Sequence, residues 1–440
     1  MIPSAGKLGV LALALSGGAC VAAGPYSKAI NDPLSTTDAP IPGFVGPNGI
    51  GKARLDTFTV DGTGQPIYQN PANYTNPLFF AWAETVANYH RSDSDVPFND
   101  PSLALGPVTG DLFDVVSLGE LNNAAINAGL PPGTITLELA KPVRNLTGAD
   151  FVIFENGIIA QTNYGGAGVG GIFGELAYVE VSANGIDFVR FPCASLTAAA
   201  VGGYGSIDAT NVRNLAGKHV NGNGDSWGTP FDLSEIGLPQ ITHIRLVDIP
   251  GKGTFLDSSA RPIRDPWTTF GSGGCDLEAV GAISTGMTFN EWPQLAKLAA
   301  EDRNACADPD GDGVCNLLEY AFASLPWKAD KPAPTLGFTA GHAEITFTRD
   351  ERLTDLVYEV QTSTGTAPND WITIASSSAG APMQGVNGNA PVISEVSAEN
   401  ILSIGVIRKV TVRDTAPMAS NARRFLRVRV TTSSLPPVGE

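Results

Sequence analysis

Apolar and polar positions alternate in short runs from residue 115 onward, the period-two signature of half-buried strands. Runs at 115–118 (VVSL), 134–139 (TITLEL), 150–155 (DFVIFE), 176–182 (LAYVEVS), 187–191 (DFVRF), 241–249 (ITHIRLVDI) and 276–283 (DLEAVGAI) predict strands. Asn156-Gly157 and Asn184-Gly185 supply turn signals between them. Strands at this spacing predict one large antiparallel β-sandwich of jelly-roll type. A second block of alternation, at 343–348, 356–362, 371–375, 407–413 and 424–430, predicts a smaller C-terminal β-sandwich. The chain is therefore expected to be mainly β. Residues 79–88 (FFAWAETVAN) suit either a short helix or a strand, with Trp82 in the core. Residues 24–75, rich in Pro, Gly, Asn and Thr, read as extended chain laid over the large domain.

The period changes between the two β blocks. Asn290 is the expected helix cap, because Pro293 then falls in the first turn, where a missing N–H costs nothing. Thr288 with Glu291 offers a capping box as the alternative. Leu295, Leu298 and Ala299 follow on one apolar face. A second helix is expected over 317–323, ended by Pro326.

Between these helices runs 308–319 (DPDGDGVCNLLE), which matches the twelve-residue EF-hand pattern D-x-D-x-D-G-x5-E throughout. Calcium takes six to eight oxygens, and the spacing assigns them to Asp308, Asp310, Asp312, the Val314 carbonyl, Asn316 and bidentate Glu319. Gly313 allows the sharp turn. Four carboxylates so close repel one another unless a cation sits among them. Ca2+ is thus the expected cofactor, in a short helix–loop–helix hand. The layout resembles one half of a dockerin, whose loops come in pairs; a single loop does not lead to an expectation of cohesin binding.

A long loop carries the next candidate chemistry. Lys218, His219, Asn223, Asp225 and Trp227 gather within ten residues, and loops bearing aromatic and amide groups on a sandwich are common glycan-docking sites. The alternative is a loop bonding its own backbone, with Trp227 plugging the end of the sandwich. The glycine-rich 164–171 segment lacks the Lys-Ser/Thr and following helix of a phosphate loop.

Seven segments, in order, resemble a bacterial family of cell-surface proteins associated with PEP-CTERM sorting: 102–107 (SLALGP), 115–119 (VVSLG), 148–156 (GADFVIFEN), 174–182 (GELAYVEVS), 216–219 (AGKH), 228–233 (GTPFDL) and 273–281 (GGCDLEAVG). The resemblance covers roughly residues 38–285 and implies a galactose-binding-like sandwich. Residues 435–437 (LPP) lack the family's sorting tail, so anchoring by that route is not expected. Residues 358–361 (YEVQ) and 425–430 (FLRVRV) resemble the small C-terminal sandwich that follows such calcium loops in surface proteins.

Composition narrows the setting. A net charge of -17 excludes nucleic acid and anionic membrane surfaces as partners. Lys7, an apolar run at 8–15 (LGVLALAL) and Val21-Ala22-Ala23 form a secretory signal over 1–23, too short an apolar run to be a stable membrane span. Secretion or a cell-surface location is expected, with lipidation at Cys20 the minor reading. Four cysteines remain in the exported chain, where even counts pair. Four cysteines allow three pairings; the expected one joins Cys306 to Cys315 at the loop and leaves Cys193 with Cys275, and free buried thiols are the alternative.

The expected organisation is a signal (1–23), a large sandwich (24–285), a calcium hand (286–327), a linker (328–336) and a C-terminal sandwich (337–434). No H-E-x-x-H, H-x-x-x-H or G-x-S-x-G motif occurs. The carboxylates Asp150, Glu155, Glu175, Glu180, Asp248, Asp265, Asp276 and Glu278 leave two readings, a glycosidase-like acid pair or a second calcium site. The expected function is a secreted, non-enzymatic, calcium-binding protein whose large sandwich takes a surface glycan or other envelope ligand. An extracellular glycoside hydrolase is the alternative.

Overall fold

The computed structural model describes residues 24–27, 39–45, 58–60, 66–68, 73–93, 97–222, 226–269, 273–296, 298–398, 406–420 and 423–434. The expected signal with Cys20, the 435–437 tail, and Asn223 and Asp225 lie outside them.

The protein is mainly β. Ten strands form one curled antiparallel sheet, in the order Ile41–Pro42, Trp227–Phe231, Phe151–Glu155, Asp276–Ala282, Ala81–His90, Thr134–Arg144, Gln240–Asp248, Ala177–Ser182 and Val189–Arg190, with Val116–Ser117 pairing off the path. The curl is made by Ala81–His90. Ala81 and Trp82 pair with Ala282 and Gly281, and the strand then pairs from Ala83 to His90 with Thr134–Arg144. Register shifts at Ala83/Thr85 and Val86/Asn88 mark bulges, which bend a strand enough to hand it from one layer to the other.

Alternation then fills the space between the layers. Ile135, Leu137, Val179, Val181, Ile244 and Leu246 meet Phe151, Ile153, Phe231, Leu277 and Val280 in one core. Phe151 stacks on Phe231 with centroids 5.3 Å apart. Val152, Phe154 and Ala279 point the other way and are covered by Ile41, Leu78, Phe79 and Val108. The early chain therefore closes an apolar face that the sheet alone would leave wet.

Trp227–Phe231, expected as part of a long loop, is an inner strand between Ile41–Pro42 and Phe151–Glu155. Its Gly228 and Pro230 obscured it, since both are poor strand residues. The glycine is needed here: a Cβ on Gly228 would sit 2.3 Å from Val152 Cγ1 and 2.7 Å from Phe154 Cε1.

The C-terminal unit is two four-stranded sheets. One runs Thr335–Thr339, His342–Asp350, Ile407–Pro417 and Val392–Ser397; the other runs Gln384–Gly385, Ile372–Ser378, Leu356–Ser363 and Phe425–Thr432. Ile345, Phe347, Tyr358, Val360, Val410 and Val412 pack between them. Thr335–Thr339 begins inside the expected linker. Arg427 bonds Gln361 and stacks on Trp371, and Arg429 pairs with Glu359.

The entering helix is shorter than expected, Trp292–Leu295 followed by a 3-10 turn at Ala300–Asp302. Its N-cap is Glu291 rather than Asn290, and the Glu291 carboxylate accepts from the Thr288 amide and hydroxyl. Leu295 is exposed, whereas Leu298 is buried. The exiting helix is Asn316–Phe322, closed by Ala323 in a left-handed conformation.

Neither expected disulfide is formed: Cys193, Cys275, Cys306 and Cys315 are all free thiols. Cys275 belongs to the main core and Cys193 to a separate cluster around Tyr178 and Ile263, so the two are packed apart. Cys306 is exposed and Cys315 serves as the N-cap of the exiting helix.

Candidate metal centre

The 308–319 loop is shaped by its own carboxylates. Asp308 accepts from the amides of Gly311 (2.9 Å), Asp312 (3.2 Å) and Gly313 (2.9 Å). Asp310 accepts from Asp312, and Asp312 from Val314. Gly311 and Gly313 hold φ of +74° and +92°, which glycine adopts without strain. Asp308, Asp310 and Asp312 bring ligand oxygens within 4.8 Å of one another.

Two later positions of the pattern keep buried oxygens free of hydrogen bonds. Asn316 spends its amide protons on the carbonyls of Asp302 (2.6 Å) and Asn304 (2.8 Å), which leaves its Oδ1 buried without a partner. Asp310 Oδ2 and Glu319 Oε2 are likewise buried without a hydrogen-bond partner. Burial, then the charges of Asp310 and Asp312, pushes the Glu319 carboxyl up to about 7. Unsatisfied buried acceptors are rare because each costs roughly 1–3 kcal/mol. The donor set is all oxygen, hard and anionic, which suits Ca2+.

The loop is rooted in the C-terminal sandwich. Tyr320, Ala321 and Phe322 enter its core directly. The Tyr320 hydroxyl donates to Asp355 (2.6 Å), the Thr348 hydroxyl to the Phe322 carbonyl (2.5 Å), and the Tyr358 hydroxyl to the Ala321 carbonyl. The Lys331 amide donates to Asp312 Oδ2 (2.7 Å), tying the following segment to the loop.

The expected glycan loop is placed differently. Lys218 and His219 are buried, and Trp227 is 6 % exposed within its strand. These side chains are not presented to a surface ligand. A surface groove of about 630 Å³ lies elsewhere, on the outward face of Thr134–Arg144, Gln240–Asp248 and Ala177–Ser182. Inward residues of those strands fill the core, so Thr134, Thr136, Glu180, His243 and Arg245 face out by alternation. Glu180 binds Arg190 (2.7 Å) and Arg245 (2.5 Å), and the Arg245 guanidinium lies 3.8 Å from the Phe188 ring centroid.

The remaining carboxylates are mostly interior. Glu155, Glu175, Asp248 and Asp265 are at most 5 % exposed. Asp150 braces a corner by accepting from Leu146 and Leu233, and Glu278 accepts from Thr109, Gly110 and Asn221. Burial pushes Glu120 up to about 7. Burial, with the charges of neighbouring acids, raises Glu155, Glu175, Asp248 and Asp265 well above the carboxylate range. The unfolded groups release their protons near pH 4. From there up to the folded values the native state holds more protons, so stability falls as pH rises, by about 1.4 kcal/mol per unit per group. In chelator, the melting temperature should fall between pH 5 and pH 8; a flat or rising profile would contradict this.

Comparison with models of known protein families finds no match, and no curated protein is similar in sequence. Sequence reasoning missed the Phe188–Arg245 groove. Arg245 alternates with apolar residues in its strand, and that period was the available signal.

Proposed function

We propose that this is an exported, non-enzymatic surface protein in which the 308–319 loop holds Ca2+ as a permanent clamp on the C-terminal sandwich. The observation that carries this reading is the trio of buried, unpartnered oxygens on Asp310, Asn316 and Glu319, in the same twelve-residue loop that gathers Asp308, Asp310 and Asp312. Exported chains meet abundant, steady calcium, and a lone hand without a partner loop suits a clamp better than a sensor. Calorimetric titration of chelator-stripped protein tests it: the heat should vanish with Glu319→Gln and persist in wild type. A wild-type protein that takes up no calcium while folded would refute it.

Ligand binding by the large sandwich belongs to the same proposal, and the outward groove supports it. Arginine, carboxylate, histidine and a ring on one sheet face offer the hydrogen bonds and stacking that sugars use. Arg245→Ala should weaken saccharide binding on a glycan array about 10- to 100-fold, the equivalent of roughly 1.5–3 kcal/mol for a charged hydrogen bond. An array with no binding, in calcium and with the fold verified, would remove this part. The burial of Glu155 and Glu175 supports the non-enzymatic reading over a glycosidase. Polysaccharide turnover abolished by Glu155→Gln would reverse that choice.

A further inference from the structure

One row of polar side chains crosses the outward groove of the large sandwich. Cross-strand register sets Asn88 beside Thr136, Thr136 beside Arg245, Arg245 beside Glu180 and Glu180 beside Arg190. All five line the groove, one from each of five neighbouring strands. At about 4.8 Å between strands the row is roughly 19 Å long, the reach of an oligosaccharide rather than a single sugar.

Three members of the row form a fixed assembly. Arg190 Nε and Nη2 approach Glu180 Oε1 at 2.9 and 2.7 Å, and Arg245 Nε and Nη2 approach Glu180 Oε2 at 2.7 and 2.5 Å. The Arg190 guanidinium also lies 3.9 Å from the Tyr178 ring centroid, and that of Arg245 lies 3.8 Å from the Phe188 centroid. Carboxylate and ring together fix the pose of each arginine, which lowers the ordering cost of binding. A guanidinium has five N–H donors, and Glu180 engages the Nε side. The Nη1–Nη2 end of each arginine therefore remains for a second acceptor. The Glu180 side chain is 10 % exposed, against 44 % for Arg190 and 33 % for Arg245, so the acceptor is covered while the donors are open to solvent.

Charge does not balance within this assembly. Two guanidiniums share one carboxylate, and among the described residues Glu180 is the sole acid lining the groove. Glu138 lies opposite His243 in register and Asp187 accepts from Asn184; neither forms an ion pair with Arg190 or Arg245. The groove is thus a local cationic spot on a chain of net charge -17. We propose that it takes an acidic saccharide, a uronic-acid oligosaccharide whose carboxylate pairs with the open end of Arg190 while Arg245, Thr136 and Asn88 bond ring hydroxyls along the row. This rests on the glycan reading above and narrows it to one charge class. The planar guanidinium fork matches a carboxylate, which a neutral sugar lacks.

The test is an array of glucuronic, galacturonic and mannuronic acid oligosaccharides, each beside its carboxyl-reduced neutral counterpart. The full chain is applied loaded with calcium and washed free of excess metal, since uronate chains hold calcium themselves. At least one acid should be bound about tenfold tighter than its neutral counterpart. That preference should shrink as salt rises. Arg190→Gln should abolish the preference with circular dichroism unchanged, because Arg190 is the more exposed arginine of the pair. Equal binding of acid and neutral forms, or a preference that survives Arg190→Gln, would overturn the acidic class and leave sugar binding in the groove standing. Binding of neither form would overturn both readings.

Discussion

Chelation lowers the melting temperature of the C-terminal unit by about 5–10 °C, and Glu319→Gln makes the protein indifferent to chelator. A ligand that binds only the folded state at a hundredfold excess over its dissociation constant stabilises by about 2.7 kcal/mol. For a unit of this size each kcal/mol moves the midpoint by about 2–4 °C. The effect should reach beyond the loop, because the exiting helix delivers Tyr320 and Phe322 to the core of the second sandwich. Asp308→Ala should also abolish the calcium response, but it removes three backbone hydrogen bonds as well and so should lower the metal-free midpoint. Glu319→Gln removes a charge from a repelling cluster and should not. Differential scanning calorimetry of both variants, with and without chelator, separates the two contributions. Equal midpoints for wild type in calcium and in chelator would contradict the clamp.

Arg352→Ala should be the most damaging substitution at the joint between the sandwiches, costing about 3–5 kcal/mol. Arg352 is 3 % exposed and forms a bidentate pair with Asp350, itself buried, through contacts of 2.7–3.0 Å. Its other nitrogen donates to the Leu78 carbonyl (2.7 Å), and its guanidinium lies 3.5 Å from the Phe80 ring centroid. The Met287 amide and the Arg144 side chain both donate to its carbonyl. One residue thus binds the early chain, the large sandwich and the small one. Truncation strands Asp350 as a buried anion, which is the expensive part. Adding Asp350→Ala should recover part of the loss, and the two-site coupling read from chemical denaturation measures the ion pair itself. Additive losses would show that the pair contributes only packing.

What the sequence disclosed was local. The run at 134–139 alternates cleanly and lies in Thr134–Arg144, and 356–362 lies in Leu356–Ser363, because period two and a buried face coincide there. The 308–319 pattern was legible for the same reason: its candidate ligands fall within twelve consecutive residues. Trp227–Phe231 was hidden by Gly228 and Pro230, whose tolerance depends on Val152 and Phe154 in a distant strand. The seat of the loop was hidden too, since Tyr320 finds Asp355 across 35 residues. Glu120 and Thr269 are 149 residues apart, and nothing in either neighbourhood announces the other. The pairing of Val116–Ser117 with Asp276–Ala282, extended by the Leu118 amide on the Cys275 carbonyl, creates that meeting. Alternation predicts strands, but it does not say where a strand changes layers.

The clamp makes one demand that hydrogen exchange followed by mass spectrometry can read directly, peptide by peptide. On adding calcium to stripped wild-type protein, amides of residues 305–331 should gain protection, including Lys331, whose N–H is bonded to Asp312. The gain should spread to 342–350 and 356–363 in the second sandwich, and it should be absent in Glu319→Gln. Exchange across 305–331 that is the same with and without calcium in the folded wild-type chain would contradict the account.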